Sequence, residues 1–122
     1  MMFLFRRSQP RVSVDQAHDR TSGETPDAVL LDVREKSEWN AGHAPGAVHV
    51  PLSKLVAGAN LPAEASDRSL VVICRSGHRS QQAAKLLTER GRQAVDVKGG
   101  MNAWAAAGHP VLDERGNSGR IA

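Results

Sequence analysis

The residues with the clearest chemical potential form a seven-residue segment that reads Cys-Arg-Ser-Gly-His-Arg-Ser. It contains Cys74, the only cysteine of the chain, and two permanent positive charges, on Arg75 and Arg79. The glycine in the middle allows the backbone to turn inward. Neighbouring cations favour the thiolate, which is the nucleophilic form of cysteine. The segment therefore predicts a nucleophilic Cys74 and an anion-binding loop made of Arg75, Ser76, Gly77, His78, Arg79 and Ser80.

The flanking sequence predicts how this loop is held. An apolar run, Leu70 to Ile73, is typical of a buried strand and leads straight into Cys74. After the loop, Ser80, Ala83, Ala84 and Leu87 follow the spacing of a helix that faces a core, and a glycine at 91 ends it. The loop then lies at a helix N-terminus, where free backbone N–H groups and the helix dipole favour anions and a thiolate.

Further strands and helices alternate along the chain. Apolar runs predict strands at 28–31, 48–50 and 94–97, and helical patterns occur near 13–18, 35–41, 52–55 and 101–107. Buried strands that alternate with helices predict an α/β fold with a parallel sheet and helices on both faces. Ligands gather at the carboxyl ends of strands in such sheets. Asp32 follows the first run there, as Cys74 follows the main one.

Four other residues near these strand ends are further candidates for a role in the site or in its support. Asp32 and Arg34 are candidate supporting residues that either contact substrate or hold loops together as an ion pair. His43 is expected to make a structural hydrogen bond. His78 either contacts an anion or is merely solvated. The histidines and the cysteine show no spacing typical of metal ligands, so we expect no metal site.

Composition narrows the function classes. At 122 residues, the chain is expected to form one domain, given roughly 150 residues per domain. A formal charge of +3 with dispersed basic residues, and only 3% aromatic residues, argue against nucleic-acid binding. A single cysteine excludes an internal disulfide. The apolar N-terminal stretch is too short for a signal or a span, which predicts a cytoplasmic protein without membrane contact. No exposed apolar stripe indicates an oligomeric state.

Four segments together resemble the single-domain rhodaneses, a family of sulfurtransferases. The resemblance covers roughly Val12 to Val111 and predicts a domain at residues 10–113, with tails at 1–9 and 114–122. Ala44 departs from the isoleucine expected in the family, a packing change away from the loop. The segments, in order, are Leu30 to Glu35, Glu38-Trp39 with Gly42 to Ala47, Val72 to Ser80, and Gly99 to Trp104.

The resemblance implies a parallel sheet of about five short strands and a sulfur-transfer cycle. The cysteine would take a sulfane sulfur from a small anionic donor such as thiosulfate and become a persulfide. Cyanide or a thiol, or a sulfur-relay protein, would then accept the sulfur. The resemblance implies no organic cofactor and no metal.

Two other functions remain open at this point. Cysteine phosphatases and arsenate reductases also place a cysteine and an arginine around an anion-binding loop, but with the spacing Cys-x5-Arg. Cys74 and Arg79 have the shorter spacing Cys-x4-Arg, which predicts a tighter ring of N–H groups, suited to a single sulfur atom. The second alternative is a rhodanese-like module that binds or regulates proteins without catalysis. The intact cysteine loop argues for the enzyme.

Overall fold

The computed structural model describes residues 10–122, so the predicted tail at 1–9 lies outside the described residues. Five parallel strands form one sheet in the order β1-β5-β4-β2-β3. The elements are, along the chain, β1 Arg11–Val12, α1 Val14–Thr21, β2 Ala28–Asp32, α2 Lys36–Ala41, β3 Val48–His49, α3 Leu52–Val56, a 3-10 helix Ala63–Ala65, β4 Ser69–Ile73, α4 Arg79–Glu89, β5 Ala94–Val97 and α5 Gly100–Ala106.

The central strands carry apolar side chains on both faces because helices cover the sheet on both sides. On one face, Leu31 and Val72 pack in a core with Leu55 of α3 and Leu87 of α4. On the other face, residues of β2, β4 and β5 pack against α1 and α5 in a core that contains Leu30, Ile73, Val97, Ala17, Met101 and Trp104. The predicted α/β class with a parallel sheet and helices on both faces is confirmed.

Local signals in the sequence explain the element ends. Ser13 and Gln16 form the reciprocal capping box at the start of α1 that their spacing predicts. Glu35 and Glu38 form a second such box at α2. Two elements were missed in the sequence: β1, a strand of two residues, and the 3-10 helix inside a segment interpreted as a surface connection. Both are too short for a periodic pattern.

The C-terminal segment was expected to be mobile from its polar composition, but it folds back onto the domain. Leu112 forms antiparallel bridges with His43 and with Ser118. The amide of Arg120 donates to the carbonyl oxygen of Ala41 at 2.9 Å. Ile121 packs against the core that α5 covers. Backbone hydrogen bonds, rather than apolar content, hold this segment in place. The domain boundary at residue 113 stays a prediction.

Candidate active site

Cys74 follows β4 directly and lies at the base of the loop that leads into α4. It is buried, with 1% of its surface exposed. The amide N–H of Gly77 donates to Cys74 Sγ at 3.2 Å, and Sγ donates to Ser80 Oγ at 3.3 Å. Gly77 has a φ of +101°, which turns its amide towards the sulfur. The loop therefore wraps around the sulfur, with a backbone donor in contact with it.

Ser80 connects the sulfur to an ion pair between buried Asp96 and partly exposed Arg11, which no sequence motif indicated. Its hydroxyl donates to Oδ2 of Asp96 at 2.9 Å, and both residues are fully buried. Arg11 of β1 donates to both carboxylate oxygens of Asp96, at 2.9 Å and 3.1 Å. The same guanidinium donates to the carbonyl oxygen of Gly77 at 3.0 Å. The first strand is thereby joined to the loop through β5.

Arg79, the first residue of α4, binds a carboxylate in a two-pronged ion pair. Its guanidinium donates to the two oxygens of Glu38 at 2.7 Å and 2.9 Å. The hydrogen bond to Arg79 lowers the pKa of Glu38, against the opposing effect of burial. The hydrogen bond to Glu38 raises the pKa of Arg79, and the charge of Cys74 acts in the same direction. The second cation of the loop is thus held in position from α2.

The turn after β5 supports the loop from below. The amides of Met101 and Asn102 donate to the carbonyl oxygens of Cys74 and Arg75, at 2.7 Å and 2.9 Å. Gly100 lies so close that an added Cβ would overlap both carbonyl oxygens. The carbonyls of Cys74 and Arg75 therefore point towards the start of α5. Arg75 and His78, in contrast, are exposed on the outer side of the loop.

Asp32 and Arg34 form a completely buried ion pair at the end of β2. Arg34 donates from Nε and Nη2 to the carboxylate, at 2.8 to 3.1 Å, and from Nη2 to the carbonyl oxygen of Gly42 at 2.6 Å. Within residues 10–122, Arg34 Nη1 is the only buried side-chain nitrogen or oxygen that makes no hydrogen bond. These contacts join the end of β2 to the end of α2. The role of Asp32 and Arg34 as supporting residues stays a prediction.

Histidines line the same edge of the sheet. His43 Nδ1 is 2.8 Å from the carbonyl oxygen of Trp39, in line with the structural hydrogen bond expected for it. The rings of His43 and His49 both stack on the indole of Trp39, at centroid distances of 3.7 Å and 4.7 Å. Trp39 is half-buried, whereas Trp104 is a core residue with 2% exposure.

The structure brings Cys74, Gly77, Ser80 and Arg79 together at one strand end, as their spacing predicts. Sequence reasoning missed Arg11, Glu38 and Asp96 as members of the same site. One signal was present for Asp96, because a lone carboxylate inside the apolar strand β5 needs a buried partner. No comparable local signal exists for Arg11, whose partner lies 85 positions away.

Among residues 10–122, no group of three or more His, Cys, Asp or Glu side chains is arranged to hold a metal ion. No helix in the described part of the chain has the length and apolar character needed to cross a bilayer.

Comparison with known proteins identifies the family. Residues 13–107 match the rhodanese-like domain. The chain belongs to the rhodanese family. A sulfurtransferase from Allochromatium vinosum is 34% identical to this rhodanese over 95 residues, which cover 76% of this chain and 86% of the relative. The NMR structure of the rhodanese-like domain of the Alr3790 protein from Anabaena matches with a TM-score of 0.72 and 29% identity, over 93% of this chain and 89% of that one.

Other relatives of this rhodanese are longer than the part they share with it. The putative sulfur carrier protein YrkF of Bacillus subtilis is 38% identical over 76 residues, which cover 62% of this chain but 40% of YrkF. The family and its sulfurtransferase relative support a transferase with a role in sulfur transfer.

Proposed function

We propose that this rhodanese carries a sulfane sulfur on Cys74 as a persulfide and passes it from a small anionic donor to a thiophilic acceptor. The observation that carries the proposal is the contact of Cys74 Sγ with the Gly77 amide and the Ser80 hydroxyl in a loop that opens a helix. An N–H donor in contact with a sulfur stabilises negative charge on it. The Gly77 amide is such a donor and serves the thiolate and the anionic persulfide alike.

The proposed cycle has two displacement steps on sulfur. In the first, the Cys74 thiolate attacks the outer sulfur of thiosulfate, the sulfur–sulfur bond of the donor breaks, and sulfite leaves with the bonding electrons. In the second, cyanide or a thiolate attacks the outer sulfur of the persulfide, the persulfide bond breaks, and the Cys74 thiolate is restored. A covalent intermediate between two substrates predicts ping-pong kinetics.

Charge around the loop supports an anionic donor. Arg75 is exposed on the outer side of the loop, and Arg79 lies at the start of α4 with its charge partly balanced by Glu38. In a solvent-accessible loop, such cations concentrate anions and orient them. A sulfur carrier among the relatives supports a protein acceptor as well as a small thiol.

Hydrolysis of a phosphate ester is the alternative that the site favours less. The loop has four residues between Cys74 and Arg79, one fewer than the Cys-x5-Arg spacing of cysteine phosphatases. The shorter loop suits a single sulfur atom better than a tetrahedral phosphate. A non-catalytic module would have no need of the donors around Cys74 Sγ.

The test is intact mass spectrometry after incubation with thiosulfate, alongside assays of thiocyanate formation and of p-nitrophenyl phosphate hydrolysis. We expect a mass gain of about 32 Da, one sulfur atom held covalently on Cys74, and thiocyanate when cyanide follows. Phosphate release without thiocyanate would identify a phosphatase. If neither thiocyanate nor phosphate forms and the mass stays unmodified with every sulfane donor tried, the function that remains is that of a binding module.

A further inference from the structure

Ser80 has one hydroxyl proton and two neighbours that compete for it. In the structure, the proton goes to Asp96 Oδ2 at 2.9 Å, so a lone pair of Ser80 Oγ faces Cys74 Sγ and accepts its proton at 3.3 Å. This arrangement suits a neutral thiol. A thiolate has no proton to give, so Ser80 would then serve it by turning its own proton from the carboxylate to the sulfur.

Asp96 retains other partners when Ser80 turns away. Arg11 donates to both of its oxygens, at 2.9 Å and 3.1 Å, so the buried carboxylate stays hydrogen-bonded. The ion pair is close to neutral as a unit, and its two charges lie a short distance beyond the hydroxyl that contacts the sulfur. Loss of the Arg11 charge would leave the buried carboxylate of Asp96 uncompensated in a setting where charges interact strongly, whereas Arg11 is 31% exposed and keeps contact with solvent when Asp96 is neutralised.

Arg11 also shapes the loop itself. The carbonyl oxygen of Gly77 accepts from Arg11 Nη2 at 3.0 Å and from Gln81 Nε2 at 2.7 Å. Both donors hold the carbonyl in place. The neighbouring amide of Gly77 remains on the inner side of the loop, in contact with Cys74 Sγ.

We propose that Asp96 and Arg11 are positioning residues, which set the electrostatic environment of Cys74 through the shared hydroxyl of Ser80. The inference rests on the proposed function for the use of the thiolate in sulfur transfer. Asp96 opposes the thiolate, since it holds the Ser80 proton and carries a like charge. Arg11 offsets that charge and thereby favours the thiolate.

Other charged groups around Cys74 are common to every variant needed for the test. Two of them form the buried pair at the end of β2, and two form the ion pair between α2 and α4. His78 is exposed on the loop. The charged and titratable groups that stay the same in these variants are Asp32, Arg34, Glu38, Arg75, His78 and Arg79.

The composition of the chain allows a direct test without any sulfur donor. With one cysteine and no tyrosine, the rise of thiolate absorbance in the ultraviolet during a pH titration reports on Cys74 alone. We expect Asp96→Asn to move the midpoint of that titration to lower pH and Arg11→Gln to move it to higher pH. Each shift is expected to be about one pH unit, a tenfold change in the thiolate-to-thiol ratio.

The double variant with both substitutions and one control variant complete the experiment. The double variant removes both charges and should return the midpoint to near that of the unmodified protein. The control, Arg68→Gln, loses a comparable half-buried arginine contact, at 2.8 Å to the Pro26 carbonyl oxygen, away from the loop. It should leave the midpoint in place, so that loss of stability alone is separated from the effect of charge.

Equal or same-direction shifts in the two single variants would overturn the proposal, because a merely loosened loop has no reason to respond to the sign of the charge removed. Should Asp96→Asn fail to fold, Arg11→Gln and the double variant still decide the question. Opposite shifts in a protein that forms no persulfide would support the charge network and refute the sulfur-transfer function. Persulfide formation with unmoved midpoints would support the sulfur-transfer function and refute the charge network.

Discussion

The amide of Met101 donates a hydrogen bond to the carbonyl oxygen of Cys74 at 2.7 Å, which joins the start of α5 to the backbone of the proposed nucleophile. The amide of Asn102 makes the equivalent bond to Arg75 at 2.9 Å. These two bonds fix the carbonyls of the loop on the side away from its opening. The loop geometry therefore depends on a turn that is distant in sequence and whose close approach needs a residue without a Cβ.

Gly100→Ala is expected to damage the loop more than the fold. The added Cβ would overlap the carbonyl oxygens of Cys74 and Arg75, so the loop or the turn has to move. The matched control is Gly108→Ala, which has a φ of +85° but nothing within 4 Å of the new Cβ. Both variants should lose about 1 kcal/mol from the unfavourable φ, and only Gly100→Ala should also lose thiocyanate formation. Equal activity in the two would show that the turn does not control the loop.

Cys74→Ser should abolish sulfur transfer while leaving the domain folded. Serine is close in size to cysteine, and its hydroxyl is able to keep the contacts with Gly77 and Ser80, but it is not ionised at neutral pH and forms no persulfide. The measurements are thiocyanate production, intact mass after incubation with thiosulfate, and the circular dichroism spectrum. Sulfur transfer by Cys74→Ser at the rate of the unmodified protein would exclude Cys74 as the nucleophile.

Arg79→Ala tests whether this cation holds the donor. We expect KM for thiosulfate to rise about tenfold, the worth of one charge-assisted hydrogen bond, with a smaller effect on kcat. The variant also loses the ion pair with Glu38, so Glu38→Gln serves as the comparison. That substitution breaks the pair but keeps the cation, and it should leave KM close to that of the unmodified protein. A KM equal in all three proteins would assign Arg79 to loop support only.

The Glu38–Arg79 pair also predicts a pH-dependent stability. The hydrogen bond from Arg79 lowers the pKa of Glu38 in the folded protein below its ordinary value of 4.5. The stabilising contribution is therefore complete above about pH 4.5 and is lost as the pH falls through the folded-state pKa. Urea unfolding should show that Glu38→Gln costs roughly 0.5–1 kcal/mol at pH 7. This difference should shrink below pH 4.5, and a difference that grew in acid would contradict the assignment.

The buried Asp32–Arg34 pair is expected to dominate the stability of this edge of the sheet. Arg34→Met leaves the carboxylate of Asp32 buried without its partner and removes the donor to the Gly42 carbonyl oxygen. Breaking one side of a buried pair costs about 3–5 kcal/mol. Asp32→Asn combined with Arg34→Met removes both charges and should recover part of that loss in urea unfolding. A single variant of unchanged stability would show that the pair contributes little.

Residues close in sequence made the loop predictable. Apolar runs specify the buried strands, the 3.6-residue spacing specifies α4, and the position of Cys74 between them follows from these two patterns. The family resemblance rests on the same local segments. The strand at 94–97 was predicted with the correct bounds because Ala94, Val95 and Val97 form a short, mostly apolar run between two glycine-containing turns.

Contacts between residues distant in sequence could not be predicted from local patterns. Arg11 meets Asp96 because β1 lies beside β5 in the sheet, a neighbour relation that no local pattern encodes. Glu38 reaches Arg79 across 41 positions for a similar reason. The folded C-terminal segment was missed because backbone hydrogen bonds to Ala41 and His43 leave no trace in composition. Side-chain partners of a site are thus less visible in the sequence than the elements that carry them.

The sheet order has a consequence for synthesis on the ribosome. Chains grow from the N-terminus, and domains generally fold as units once their elements are available. Arg11 emerges first, yet its partner follows 85 positions later, and the Met101 amide that fixes the Cys74 carbonyl comes later still. A nascent chain that has just exposed Cys74 therefore carries a thiol without its surroundings. The hydrogen-bonded surroundings of Cys74 are completed only when β5 and α5 have left the exit tunnel.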